Sequence, residues 1–297
     1  MAKQRDTTRL CGVRRVLDFN RMNRSLWSSF RITLPPDIVL EEYLRDTLSK
    51  LVAGWTANDA LQLWNFEREC DGQQAFQLQV LGSLVGSRAC AQLQVQPGVW
   101  AIPAVAVRGA PPLESKAAQT ANALLADCSS RIALETIRLT GRNAGQRLSI
   151  AWDCMAAALL ATGVSATAMT GFLDHYAGQT ARAMPAALPG PGAAWWRYVR
   201  CTREMPAASA LLSRWISGVE ALLGELDRLH AADALCTNGP CEQAYGLLVR
   251  DALGWHMRMH NNRLGIGPAL DRRLAQLLRQ AAEGAARVPP PTFIRRH

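Results

Sequence analysis

The chain has 297 residues, 49% of them hydrophobic and 19% charged, which supports one large α+β domain or two tightly packed halves and excludes bulk disorder. Against 24 acidic residues stand 33 basic ones, a net charge of +9 that is dispersed along the chain, with no helix-turn-helix, zinc-finger or RNP-type motif to direct it to nucleic acid. No apolar run approaches the ~20 residues a bilayer span needs, no hydrophobic segment follows the polar start, and the eight cysteines include no CxxC pair, so a cytoplasmic chain with free thiols and no membrane role is expected.

Residues 1–24 are polar and basic, with Arg5, Arg9, Arg14, Arg15, Arg21 and Arg24 among them, and are expected to form an arm. Residues 25–297 are expected to form a single domain, sheet-rich over 25–110 and helix-rich over 111–287, with a Pro- and Arg-rich tail over 288–297. From Leu26 to Leu34 apolar and polar residues alternate as in a strand, until Pro35-Pro36-Asp37 stops it and opens a helix running to about Val52. Leu61–Arg68 and Ala75–Leu81 read as a hairpin around Asp71-Gly72, and Gln92–Gln96 with Val99–Val107 as a second strand pair. After Pro111-Pro112 the period changes to that of helices, at 114–138, 144–162, 165–182, 207–231, 240–263 and 268–286, with a Pro/Gly-rich loop over 184–193. The fold class is therefore α+β: an N-terminal antiparallel sheet unit followed by a mainly helical C-terminal part.

Chemistry concentrates between Trp255 and Gly265, where two of the five histidines lie within about three helical turns of two arginines and two asparagines. On a helix, His256, His260 and Arg263 share a face through steps of four and three residues. Two imidazoles and a guanidinium pointing one way suit proton transfer and the holding of a polarised carbonyl. The His-x-x-x-His spacing also occurs in zinc sites, but no glutamate follows His256 and no third ligand is evident, so no metal is expected. The structural alternatives are a histidine satisfied within the core, a Glu135–Arg138 pair on one helical turn, and Asp153 and Asp174 as solvated or capping residues.

Three stretches carry a resemblance. The Trp27–Leu34 strand with the Phe66–Val80 hairpin, Glu135-Thr136-Ile137-Arg138-Leu139-Thr140-Gly141, and Met259-His260-Asn261-Asn262-Arg263-Leu264-Gly265 occur in the order of matching motifs in the elimination-type C-terminal domain of lantibiotic dehydratases. The chain resembles that domain and its stand-alone relatives in thiopeptide biosynthesis. Eliminases of the family use arginines on the hairpin strand, where this chain has Gln77 and Gln79, and a histidine opening the last motif, where it has Arg258. The loss of these groups makes the thiopeptide pyridine synthases the nearer likeness. What that implies is a cofactor-independent formal aza-[4+2] cycloaddition joining two dehydroalanines of a leader-bearing, thiazole-containing peptide, with loss of water and leader peptide. A glutamate-eliminating subunit and a non-catalytic peptide-binding scaffold are the alternatives.

For such chemistry the residues expected to act are His260 as proton shuttle, with His256 near it; Tyr245 as a neutral acid; and Arg258, Asn262 and Arg263 as groups orienting amide carbonyls. Gln77 and Gln79 are expected to bind backbone amides, and Trp195 and Trp196 to stack on thiazoles. An acidic leader is the expected partner of the basic arm, Arg14, Arg15, Arg21 and Arg24 above all, with strand Leu26–Leu34 as an exposed edge for β-augmentation. The resemblance also leaves room for a homodimer.

Overall fold

The computed structural model describes residues 27–69, 74–83, 86–94, 96–104, 116–178, 210–232 and 241–286, with backbone alone at 86–87, 116–117, 241–245 and 285–286. The first third folds as expected into strand, helix, strand and strand. Strand β1 (Trp27–Thr33) is followed by helix α1, made of Leu40–Tyr43, a π-helical turn Leu44–Leu48 and Ser49–Ala57, then by β2 (Leu61–Arg68) and β3 (Ala75–Gly82). Helix α2 (Gly86–Leu93) precedes the short strand β4 (Trp100–Pro103). The sheet is antiparallel in the order β2-β3-β1-β4.

Because side chains alternate across a strand, the sheet has two unlike faces. Phe30, Ile32, Phe66, Phe76 and Leu78 point one way and are buried to 1% or less, against Tyr43, Leu44 and Leu48 of α1. Ser29, Arg31, Asn65, Glu67, Gln77 and Gln79 point the other way, as the pairings Ser29↔Gln79, Arg31↔Gln77, Asn65↔Gln79 and Glu67↔Gln77 require. At Gly82, opposite a bulge between Leu61 and Leu63, an added Cβ would lie 2.1 Å from the Ala60 carbonyl oxygen, so only glycine lets the hairpin close there.

The remaining helices are α3 (Lys116–Thr140), α4 (Ala144–Ala161), α5 (Ala166–Gly178), α6 (Ala210–Ala231), α7 (Cys241–Arg263) and α8 (Pro268–Ala286). Their apolar faces share one core with the sheet. Helices α3 and α6 meet at Gly218, where a Cβ would come within 2.9 Å of a Leu125 methyl. Trp215 donates its indole N–H to the Cys154 carbonyl of α4 at 2.7 Å. Among the described residues no helix is long and apolar enough to cross a membrane.

Three expectations are corrected. Gln92 and Leu93 end helix α2 rather than open a strand: Trp55 donates to the Gln92 side chain at 2.7 Å and Tyr43 to the Leu93 carbonyl at 2.7 Å, anchoring that helix on α1. Strand β1 is no edge over Phe30–Thr33, because β3 and β4 pair with it there on both sides, so that stretch offers no ladder to an incoming peptide. The outer edge at β4 is itself blunted by Pro103, which lacks an N–H, and by Gln94, which donates to the Ala101 carbonyl at 3.1 Å. Finally, Glu135 pairs with Arg214 across α3 and α6 instead of with Arg138 on its own helix.

Candidate functional site

Strand β2 lies at the other edge of the sheet, and its outward backbone groups need partners. Helices α3 and α7 supply them from side chains. Asp127 accepts from Trp64 N–H at 3.1 Å and Ser130 from Phe66 N–H at 3.3 Å. Arg263 donates through Nε to the Phe66 carbonyl at 2.7 Å. Asn262 accepts from Arg68 N–H at 2.8 Å and donates to the Arg68 carbonyl at 3.0 Å, so one amide side chain imitates a neighbouring strand. The helix then ends in a Schellman turn, with Ile266 N–H on the Asn261 carbonyl and Gly265 N–H on that of Asn262, both at 2.9 Å. Gly265 takes φ +80°, and the Arg68 guanidinium packs where a Cβ would stand. The Asn262-Arg263-Leu264-Gly265 segment is thus the clamp between the helical part and the sheet.

Behind this clamp His256, His260 and Arg263 share one face of α7, as their spacing implied, and that face points into the core. Arg263 donates to Ser129 Oγ at 2.9 Å, and the same hydroxyl lies 2.9 Å from His260 Nδ1. The His260 ring stacks on Trp215 with centroids 4.5 Å apart. His256 Nε2 lies 2.6 Å from Asn122 Oδ1, which can only accept, so that nitrogen carries the proton. His256 and His260 are 0% and 1% exposed; burial first, and the Arg263 charge second, push both imidazoles down to about 3. Both are neutral at physiological pH. Burial also lowers Arg263, to about 10, with Glu67 and Asp127 opposing it, so the guanidinium keeps its charge.

A second polar cluster lies on another face of α7. The Tyr176 hydroxyl donates to Asp271, with 2.7 and 2.9 Å to its two oxygens, and Asn261 donates to Asp271 at 2.5 Å. The Arg258 guanidinium stands 4.8 Å over the Tyr176 ring. Arg258 therefore joins α7 to α5, while Tyr176 and Asp271 join α5 to α8.

The polar face of the sheet differs from both clusters. Gln77 and Gln79 lie two residues apart on β3, where the sequence placed them, and the strand pairings align them into rungs. One rung is Asn65–Gln79–Ser29; the next is Glu67–Gln77–Arg31–Ile102; the third runs along Ala75–Thr33–Trp100. Asn65 donates to Gln79 at 3.3 Å. Arg31 reaches past the small Ala75 to grip Glu69 with two bonds of 2.7 and 2.6 Å, so the guanidinium of this face is already neutralised. Trp100 and Ile102, 69% and 52% exposed, form its apolar end. Sequence reading missed Glu67 and Trp100. The signal for Glu67 was a carboxylate in phase with Leu63 and Asn65 on a strand whose other phase is Trp64 and Phe66.

Tyr245 lies on α7, but its side chain is outside the described residues, as are Trp195 and Trp196 and the arm arginines Arg14, Arg15, Arg21 and Arg24.

No family model matches the chain, and no curated protein matches it in sequence. Solved structures do match. TsrL superposes with a TM-score of 0.63 at 16% identity, over 89% of this chain and 96% of TsrL. The tRNA-dependent lantibiotic dehydratase MibB from Microbispora sp. 107891 gives 0.56 at 17% identity, over 91% of this chain but 28% of MibB, so the likeness is to one section of a much larger protein. TbtD, a pyridine synthase from thiomuracin biosynthesis, gives 0.51 at 16% identity, over 88% of this chain and 98% of TbtD. What these proteins share with the chain is the fold.

Proposed function

We propose that this chain is a pyridine synthase of thiopeptide biosynthesis, joining two dehydroalanines of a leader-bearing thiazole peptide and releasing water and the leader. The observation that carries the reading is the polar sheet face. Expelling glutamate would require unpaired cations to receive a departing carboxylate. The rungs that would face it hold Gln77, Gln79, Asn65 and Glu67, and their arginine, Arg31, is taken by Glu69. Glu67 adds a carboxyl group to this face where a cation would be needed. Neutral amides instead both donate and accept, which suits peptide bonds.

The reaction so written is redox-neutral and needs no cofactor. Its largest demand is entropic, since two alkenes far apart in a flexible peptide must be held in attack geometry. Gln77 and Gln79 bind backbone amides of the folded core peptide, and the exposed Trp100 offers a ring on which a thiazole stacks. The clamp of Asn262 and Arg263 holds β2, and through it the rungs, in place. His260 and His256 support that clamp as neutral core groups, and Arg258 braces α7 against α5. Tyr245, Trp195 and Trp196 are retained in this reading as the neutral acid and further thiazole contacts. The basic arm captures an acidic leader through Arg14, Arg15, Arg21 and Arg24, a contact that charge reversal and added salt both weaken.

Mass spectrometry tests the reading. Mixed with a synthetic leader–thiazole peptide bearing two dehydroalanines, the chain is expected to yield a macrocycle and a free leader carboxamide. Conversion of a glutamylated precursor to dehydroalanine, with the dehydrated peptide left intact, would establish the eliminase instead.

A further inference from the structure

Among the rung residues Glu67 is chemically out of place. It sits between Asn65 and Glu69 on β2, opposite Gln77, and makes no hydrogen bond or ion pair with any described residue. The neighbouring carboxylates are each engaged: Glu69 by Arg31, and Asp127 of α3 by Arg131 and the Trp64 N–H. Across the strand pair, the Gln77 Oε1 atom is buried and accepts from no described residue. The adjacent rung shows what such an acceptor takes, a donor side chain on β2, there Asn65 Nδ2. At the Gln77 rung the β2 residue is a carboxyl group, which donates only when protonated. The cations near it are Arg31, committed to Glu69, and Arg263, which donates through Nε to Phe66 and through Nη1 to Ser129 and acts on Glu67 by charge without a hydrogen bond, its Nη2 having no described acceptor.

We propose that Glu67 is the acid–base residue of this site, protonating the amide oxygen of the reacting peptide and later removing a proton from the new ring. The inference rests on the pyridine-forming reading above. In balance, the neutral carboxyl gives its proton to the carbonyl oxygen of the amide that precedes one dehydroalanine. The amide N–H proton passes to water, leaving an iminol whose C=N and adjoining C=C form a 2-azadiene. Cycloaddition to the second dehydroalanine makes two C–C bonds and a cyclic imine bearing the hydroxyl and the leader amide. The Glu67 carboxylate then takes the ring proton next to the imine carbon as hydroxide leaves. Water returns the proton it received, so that water is released and the acid is restored. The last ring proton departs with the leader nitrogen, which leaves as carboxamide. No oxidant enters. The environment agrees: burial raises the Glu67 carboxyl above the usual carboxylate range, against the opposing charge of Arg263.

The test uses the full chain with E67Q and E67D variants, and the leader–thiazole peptide with two dehydroalanines as probe. Single-turnover rates are read across pH, with peptide affinity by fluorescence polarisation and folding by thermal unfolding. E67Q is expected to bind within about twofold of the parent while forming pyridine about 10²–10³-fold more slowly. The parent rate is expected to fall as pH rises and Glu67 loses its proton, and E67D to keep partial activity with that limb displaced. An E67Q protein at parental rate overturns the assignment. So does an E67D whose rate falls in proportion to lost binding, with the pH limb unmoved, since that is the pattern of a merely structural residue; this arm decides the matter if E67Q does not fold. A parent chain that forms no pyridine overturns the functional reading and this inference with it. An active parent with an equally active E67Q overturns only the role of Glu67.

Discussion

Two polar regions meet at strand β2 and treat their hydrogen-bonding groups in opposite ways. On the helical side, Asn262, Arg263, Ser129, His260 and His256 are buried or nearly so and bonded to backbone, to one another or, for His256, to Asn122. On the sheet side, Gln77, Gln79 and Glu67 stand on a partly exposed face beside Trp100. Histidine and arginine look catalytic by type and glutamine does not, yet the first set is enclosed in the core and the second stands on the partly exposed face. Residue chemistry names what a group can do; burial and partners determine whether it is free to do it.

The largest effect expected from this contrast follows removal of the clamp. Arg263→Ala strips the Phe66 carbonyl and Ser129 of their donor and leaves Glu67 and Asp127 without the opposing charge, which should cost about 3–5 kcal/mol in urea unfolding. A loss under about 1 kcal/mol would show that the clamp does not hold β2.

Next comes acid. Both histidines titrate near 3 in the folded chain against 6.5 when free, so within that window the unfolded chain binds more protons. Their contribution is complete above 6.5 and lost as pH falls toward 3. The buried carboxyls of Glu67, Asp127, Asp153 and Asp271, raised mainly by desolvation and Asp153 to about 6, pull the other way within the same window. The histidine share is therefore read by difference: His260→Gln should make the fall of the urea midpoint below pH 6.5 less steep than in the parent. Identical slopes would mean that the imidazole reaches water.

Tyr176→Phe should cost about 1–3 kcal/mol, because Asp271 then keeps Asn261 alone as its described hydrogen-bond donor. Smallest in stability, and sharpest for function, is the sheet face. Gln77→Ala with Gln79→Ala should shift unfolding by less than about 1 kcal/mol while weakening binding of the dehydrated peptide about tenfold, read by fluorescence polarisation. Stability lost without loss of binding would reverse the comparison.

Much of this was legible in the residues. The alternation of Phe30 and Ile32 with Arg31 and Thr33, and the helical periods after residue 115, set element types that the structure reproduces within a few residues. Gln77 and Gln79 on one face follow from a period of two, and His256, His260 and Arg263 on one face from a period of 3.6. What the chain could not show is what each face meets. Asn262 reads as an orienting amide until β2 is seen lying across it, and β1 reads as an edge until β4 is seen to close it. Gln92–Gln96 resembled a strand because its alternation is short enough to fit either period.

Local pattern is written in the covalent order, so the sequence by itself determined strand, helix and the side each residue faces. Pairing across distances of up to 197 residues, as between Phe66 and Arg263, is not. Tertiary packing alone decided which polar groups would be spent on the strand edge and which left open, because that choice depends on the water each group loses and the partner that replaces it.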